Sequence, residues 1–250
     1  MKQIKDISYG EFSMQKLDIF LPECNCNEFP VFVYFHGGGL ESGDKSDFNL
    51  AAEYLANHGT AVVSANYRMY PAAVYPEFIR DAAEVVAWVN NHIAEYGKCR
   101  GIFVGGSSAG GYLSMMLCFD KRYLAPYGIS PGDIAGFVHD AGQPTCHFNV
   151  LREQGIDSRR VIVDEAAPLF HIGKDLDYPP MVFIVSDSDM ENRYEQTQLL
   201  LSTMKHFGYD SSKYSLKLMH GSHCHYVNLA DKNGESSFGK IINDFIENTI

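Results

Sequence analysis

Positive charge is scarce in this chain. Its 250 residues carry 20 lysines and arginines against 31 aspartates and glutamates, a formal net charge of −11. No basic run occurs, so the clustered cations that bind nucleic acid or anionic membranes are missing. Long apolar runs are missing too. Nothing approaches the ~18 apolar residues of a membrane span, and the opening MKQIKDISYGEF has no apolar stretch of the signal-peptide kind. The six cysteines, at 24, 26, 99, 118, 146 and 224, form no C-x-x-C pair and no framework spacing. They read as reduced thiols in a reducing compartment, which points to a cytoplasmic protein. Cys24 and Cys26 fall in a polar loop, ECNCNEF, and receive no role. Phosphate-loop patterns (G-x-G-x-x-G, G-K-[ST]) are also absent. The expected partner is therefore a small molecule, not nucleic acid or membrane, and the sequence is silent on oligomeric state.

What is there is apolar and alternating. Hydrophobic residues make up 46% of the chain, enough for the core of one α/β domain spanning residues 1–250. Strand candidates are KLDIFLP (16–22), PVFVYFH (30–36), TAVVSANY (60–67), GIFVGG (101–106), IAGFVHD (134–140), PMVFIVS (180–186) and YSLKLMH (214–220). Several are apolar almost throughout, as strands buried on both faces of a parallel sheet are. Helix-like segments lie between them, at 47–58, 77–96, 109–119, 191–207 and 236–248. In the second, Ile79, Ala82, Ala83, Val86, Val89 and Ile93 recur at helical spacing before Gly97. This alternation predicts an open, mostly parallel sheet covered on both faces, with its site at the carboxyl ends of the strands. Residues 143–178 read as an irregular cap with some helix.

Two serines stand side by side in GGSSAGGY (105–112). Gly106-x-Ser108-x-Gly110 follows a strand and opens a helix, the setting of a nucleophile elbow. Neighbours two positions away must be small because strand and helix pass close there. Ser107 is an alternative register, flanked by Gly105 and Ala109. Ser108 has glycine on both sides and is preferred. A second glycine cluster, His36-Gly37-Gly38-Gly39, ends the strand 30–36, and such a motif supplies backbone N–H groups to an oxyanion in lipases and esterases.

With these two motifs the chain resembles the HGGG-containing carboxylesterases and acetyl esterases related to hormone-sensitive lipase, which have the α/β-hydrolase fold. The likeness extends to SANYRMYPAAVYPEFIRDAAEVVAWV and to VDEAAPLFHI followed by YPPMVFIVSDSDM, and it spans roughly residues 30 to 227. Departures are Ser107 where the family usually carries Asp, Leu40 where an aromatic commonly follows HGGG, and DMENR in place of D-P-L after the acid strand. They bear on substrate class more than on reaction type.

The fold places its acid and then its base after the serine. The strand 180–186 leads into SDSDM, offering Asp187 and Asp189. By offset, Asp189 matches the family's acid, and Asp187 then reads as a solvated or turn-capping residue. The run HGSHCHY offers His220, His223 and His225. The family's Gly-x-x-His turn, here one residue shorter, favours His223. A metal reading of this H-x-x-H-x-H run lacks a helical H-E-x-x-H setting. His139, Asp140 and His147 could line the pocket, but hydrogen-bonded core or loop positions are their more frequent fate.

The resemblance implies a serine hydrolase of small carboxylic esters. Ser108, Asp189 and His223 would form its triad, and Gly38, Gly39 and Ala109 its oxyanion hole. Such chemistry needs neither metal nor organic cofactor. The rivals are an arylformamidase resembling kynurenine formamidase, a peptidase and a non-catalytic binding protein on the same fold. The short cap points to short acyl chains.

Overall fold

The apolar runs pair, in a computed structural model, as one eight-stranded sheet. The structure describes residues 1–23, 28–173 and 177–250, so Cys24 and Cys26 lie outside the described residues. The strands are β1 (Lys2–Ser8), β2 (Lys16–Leu21), β3 (Glu28–Phe35), β4 (Ala61–Ala65), β5 (Lys98–Ser107), β6 (Gly136–Asp140), β7 (Met181–Ser188) and β8 (Tyr214–Ser222), in the order β1-β2-β4-β3-β5-β6-β7-β8. From β4 across to β8 the neighbours are parallel, and β1 and β2 are added antiparallel at one edge.

The helices are α1 (Asn49–Asn57), α2 (Glu77–His92), α3 (Ala109–Phe119), α4 (Phe148–Glu153), α5 (Pro168–His171), α6 (Arg193–His206) and α7 (Ser237–Glu247). They cover both faces of the sheet, as the alternation of side chains along a strand requires. Val31, Val33 and Phe35 of β3 join a core with Ile79, Val86 and Val89 of α2 and Leu113 and Met116 of α3. Phe32 and Tyr34 join a second core with Leu55 of α1 and Phe238 and Ile242 of α7.

The helix expected over 77–96 is α2 to His92 and then a single 3₁₀ turn, Ile93–Glu95. The strand β1 was not expected. Three of its seven residues, KQIKDIS, are charged, none is buried, and a bulge between Ile4 and Ile7 breaks its alternation. Among the described residues of 143–178, the helices are the two short ones α4 and α5, set in irregular chain. No helix among the described residues is long and apolar enough to cross a membrane.

Candidate active site

Two glycine-rich turns leave the sheet side by side. Strands β3 and β5 are parallel neighbours, with Phe35 opposite Gly106, so the loop after one adjoins the turn after the other. The chain steps outward in opposite directions from this pair, and open α/β sheets form their crevices at such points.

The adjacent serines diverge here. Ser107 stays in β5 opposite Asp140 of β6. It is buried, and its hydroxyl donates to Asp140 Oδ2 at 2.5 Å. Ser108 leaves the strand with φ 55° and ψ −111° at the N-cap of α3, a conformation costly for any residue with a Cβ. Its N–H is held by Asp140 O at 2.8 Å. Close packing explains the glycines: a Cβ on Gly106 would stand 2.5 Å from Gly110 C, and one on Gly110 would stand 1.9 Å from Phe35 O.

The His36-Gly-Gly-Gly loop presents its peptide N–H groups because its carbonyls are occupied elsewhere. His36 Nδ1 donates to Gly37 O at 2.7 Å. Gly38 O accepts from Glu41 N, Ser42 N and Ser42 Oγ, and Gly39 O accepts from Asn149 Nδ2 at 2.9 Å. In a trans peptide the N–H points opposite the preceding C=O, so pinning Gly37 O and Gly38 O turns the N–H groups of Gly38 and Gly39 the other way. A Cβ on Gly37 would lie 3.3 Å from Ser108 Cβ, which puts this loop against the elbow. At Gly38, φ is +105° and a Cβ would stand 2.0 Å from Ser42 O, so only glycine fits. Ala109 opens α3, whose first-turn N–H groups have no acceptor within their own helix.

His223 sits between a serine and a carboxylate. Its Nε2 is 2.8 Å from Ser108 Oγ, and its Nδ1 is 2.5 Å from Asp189 Oδ1. With the proton on Nδ1, that nitrogen donates to the carboxylate and Nε2 accepts from the hydroxyl. The Asp189 side chain is 1% exposed. Burial raises its pKa. The His223 hydrogen bond and charge, with the N–H groups of Ser186 and Met190, outweigh that and hold it below the ordinary carboxylate value. The Cys224 thiol lies 3.7 Å from the same Nε2. Burial pushes it well above its ordinary value, so it stays protonated and is a poor nucleophile.

The alternatives in the same segments take other partners. Asp187 is exposed, meets the exposed His220 at 2.7 Å and accepts from Gly221 N. His225 Nδ1 meets Ser222 O at 3.0 Å. The three imidazoles of the H-x-x-H-x-H run are thus committed to three different neighbours. His139 packs among Phe119, Phe137 and Phe183, bonds Ser114 Oγ, and is brought down to about 3 by burial. His147 caps α4 through Asn149 N.

Asp140 is the residue that sequence reasoning passed over. It accepts from Ser107 and from Tyr226, and its backbone oxygen holds the elbow. Its signal was an acid closing a buried strand, directly after His139. Burial raises its carboxyl from 3.8 to about 6, against the hydrogen bonds from Ser107 and Tyr226. A folded pKa above the unfolded one means that stability contributed by the protonated form is present below pH 4 and lost as pH rises through about 6. In Asp140→Asn that loss is absent. The stability difference, variant minus wild type, should therefore shift in the variant's favour by up to about 3 kcal/mol between pH 4 and pH 7. Urea melts at each pH would measure it, and a pH-independent difference would contradict a buried acid here.

Comparison with known proteins agrees with this architecture. The BD-FAE family model matches residues 17–125. Esterase B from Lactobacillus rhamnosis superposes with a TM-score of 0.79 at 20% identity, covering 98% of this chain and 85% of that one. Esterase 2 of Thermogutta terrifontis, in its propionate-bound structure, gives 0.77 at 22% identity over 97% and 93%. The chain has the α/β-hydrolase fold. Among curated proteins, the chain is 30% identical over 128 residues to kynurenine formamidase of Danio rerio, covering 51% of the chain and 42% of that protein. It is 37% identical over 116 residues to the probable carboxylic ester hydrolase LipM of Mycobacterium tuberculosis, covering 44% and 27%. The matched segments thus span less than half the length of these relatives.

Proposed function

We propose that this protein cleaves small carboxylic esters through an acyl-enzyme on Ser108. The reading rests on one observation: the hydrogen-bonded chain from Ser108 Oγ through His223 to the buried Asp189. His223 Nε2 takes the hydroxyl proton as Oγ attacks the ester carbonyl. The carbonyl oxygen becomes an oxyanion, received by the N–H groups of Gly38, Gly39 and Ala109. One such donor accounts for roughly 10²–10³ in rate. The imidazolium then protonates the departing alkoxide, the C–O bond breaks, and the acyl group stays on Ser108. Water repeats the sequence: His223 takes its proton, hydroxide adds to the acyl carbon, and Ser108 leaves with that proton restored. Asp189 stays ionised throughout, orienting the ring and stabilising its cation.

Partial identity to kynurenine formamidase supports a second reading, hydrolysis of an N-formyl arylamine by the same groups. A panel of acetyl to decanoyl 4-nitrophenyl esters, acetylated sugars and N-formylkynurenine separates the two. Esters should turn over with the higher kcat/KM, falling beyond roughly six acyl carbons because so small a cap leaves room for little chain. Its helices are only six and four residues long. A faster formamide than any ester moves the assignment to the amidase. A decanoyl ester faster than acetyl and butyryl contradicts the short-chain expectation. Failure of a fluorophosphonate to label Ser108 removes the hydrolase reading itself.

A further inference from the structure

A cleft of ≈ 430 Å³ opens beside the acid of the candidate triad. Met190 in its wall donates its N–H to Asp189. Phe148 in the opposite wall is the ring that a side chain on Gly39 would touch at 3.1 Å. The cleft therefore lies between the acid loop and the glycine loop, where one arm of a substrate held at Ser108 would extend.

Its charge is opposite to that of the protein. A chain of net charge −11 lines this cleft with Arg159, Arg160 and Arg193 against one carboxylate, Glu191. Arg159 is neutralised by Asp157 at 2.6 Å. The other two arginines make no such contact pair, although Asp189 acts on Arg193 and Asp157 on Arg160 through space. Among the described residues, no carboxylate lies within ion-pair distance of either guanidinium. Arg160 is exposed on the rim. Arg193 is 4% exposed, and its guanidinium donates to neutral acceptors, Ala141 O at 2.8 Å and Gln143 Oε1 at 3.5 Å. Guanidinium has five donors in a flat fork suited to a carboxylate. Burying one without a paired anion is costly, and here the cost falls in the wall of an open cleft. Helix α6 also starts in this wall, and its N-cap Asn192 makes no side-chain cap, so its first-turn N–H groups add positive potential.

We propose that this cleft receives a carboxylate carried by the substrate, with Arg160 and Arg193 as its counter-charges. The natural substrate is then an anionic ester, such as a half-ester of a dicarboxylic acid or an ester of a hydroxy acid. This deepens the reading of the site as an ester hydrolase and rests on it.

Two matched pairs test it: 4-nitrophenyl hemisuccinate against 4-nitrophenyl valerate, with the charge on the acyl arm, and 4-acetoxybenzoate against 4-acetoxytoluene, with the charge on the alcohol arm. In at least one pair, the kcat/KM ratio of anionic to neutral ester should fall about tenfold in Arg160→Glu, less in Arg160→Ala, and should shrink in wild type as salt is raised. Binding of monomethyl succinate and methyl valerate to Ser108→Ala, with and without Arg160→Glu, is measured by calorimetry in parallel. Anion-selective binding lost in Arg160→Glu supports the cleft whether or not any ester is turned over. That binding without turnover of any ester by wild type would remove the hydrolase reading and leave the anion site standing. Ratios and binding indifferent to Arg160→Glu, or a preference for the neutral partner throughout, overturn the inference.

Discussion

Ser108→Ala should lower kcat on a short-chain ester by on the order of 10⁴–10⁶, while Ser107→Ala should cost far less. The two residues are neighbours of identical chemistry, so the contrast isolates geometry. Ser107 is the last residue of β5, and its hydroxyl is spent on Asp140 inside the protein. Ser108 carries the left-handed backbone of the turn and reaches His223 Nε2. Removing the Ser107 hydroxyl takes one donor from a buried carboxyl that keeps Tyr226 as a second. That is a stability effect of about 1–2 kcal/mol. Circular dichroism and melting curves on both variants separate loss of chemistry from loss of fold. Equal losses of activity, or a phosphonate adduct mapped to Ser107, would put the nucleophile in the other register.

His223→Ala should remove nearly as much activity as Ser108→Ala, and the double variant should be little worse than either. Groups that act as one unit lose their joint contribution when any member goes. His220→Ala and His225→Ala should keep most activity, because one ring is exposed on Asp187 and the other meets a backbone oxygen. The base must be neutral to accept the serine proton, so kcat/KM should fall on acidification. Asp189 is held below its ordinary value by its imidazole and backbone donors. It therefore stays ionised to lower pH than a free carboxylate does. The acid limb should be the same for several esters of different leaving group. If His223→Ala stays active and His220→Ala is dead, the Asp187–His220 pair must swing over the elbow. If all three variants stay active, the base is not in this run. Loss of activity to a chelator and its return with zinc would replace the triad by a metal site.

Much of the architecture was legible because burial writes a period into the chain. The runs 30–36, 60–67, 101–106 and 180–186 are continuous and apolar because both faces of those strands are covered, and α2 shows its stripe because one side joins the core under β3. Strand β1 was illegible for the converse reason: at an exposed edge nothing demands apolar residues, and KQIKDIS carries no alternation across its bulge. The candidate site was legible where backbone geometry restricts composition. Only glycine tolerates the approach of Gly110 to Phe35 O or the backbone of Gly38, so those turns could be read from letters alone. Spacing left Asp187 against Asp189, and His220 against His223 and His225, as open pairs and triples.

Sequence by itself therefore determined the parallel sheet, the two glycine turns at strand ends and the short list of residues able to act there. Each of those follows from local rules of burial, steric access and chain order. Only the tertiary structure decided which members of the list meet. The parallel pairing of β3 with β5 brings the glycine loop to the elbow. The pairing of β7 with β8, with Ser188 beside Ser222, carries Asp189 and His223 to one end of the sheet. Tertiary structure also brought in Asp140 beneath the elbow and gathered Arg160 and Arg193 around one cleft. These contacts join residues between 33 and 115 positions apart in the hydrogen-bonded network. Across such separations no local pattern records a partner, because a carboxylate, an imidazole or a guanidinium looks the same in the chain whether it ends in solvent, in a core or against a nucleophile.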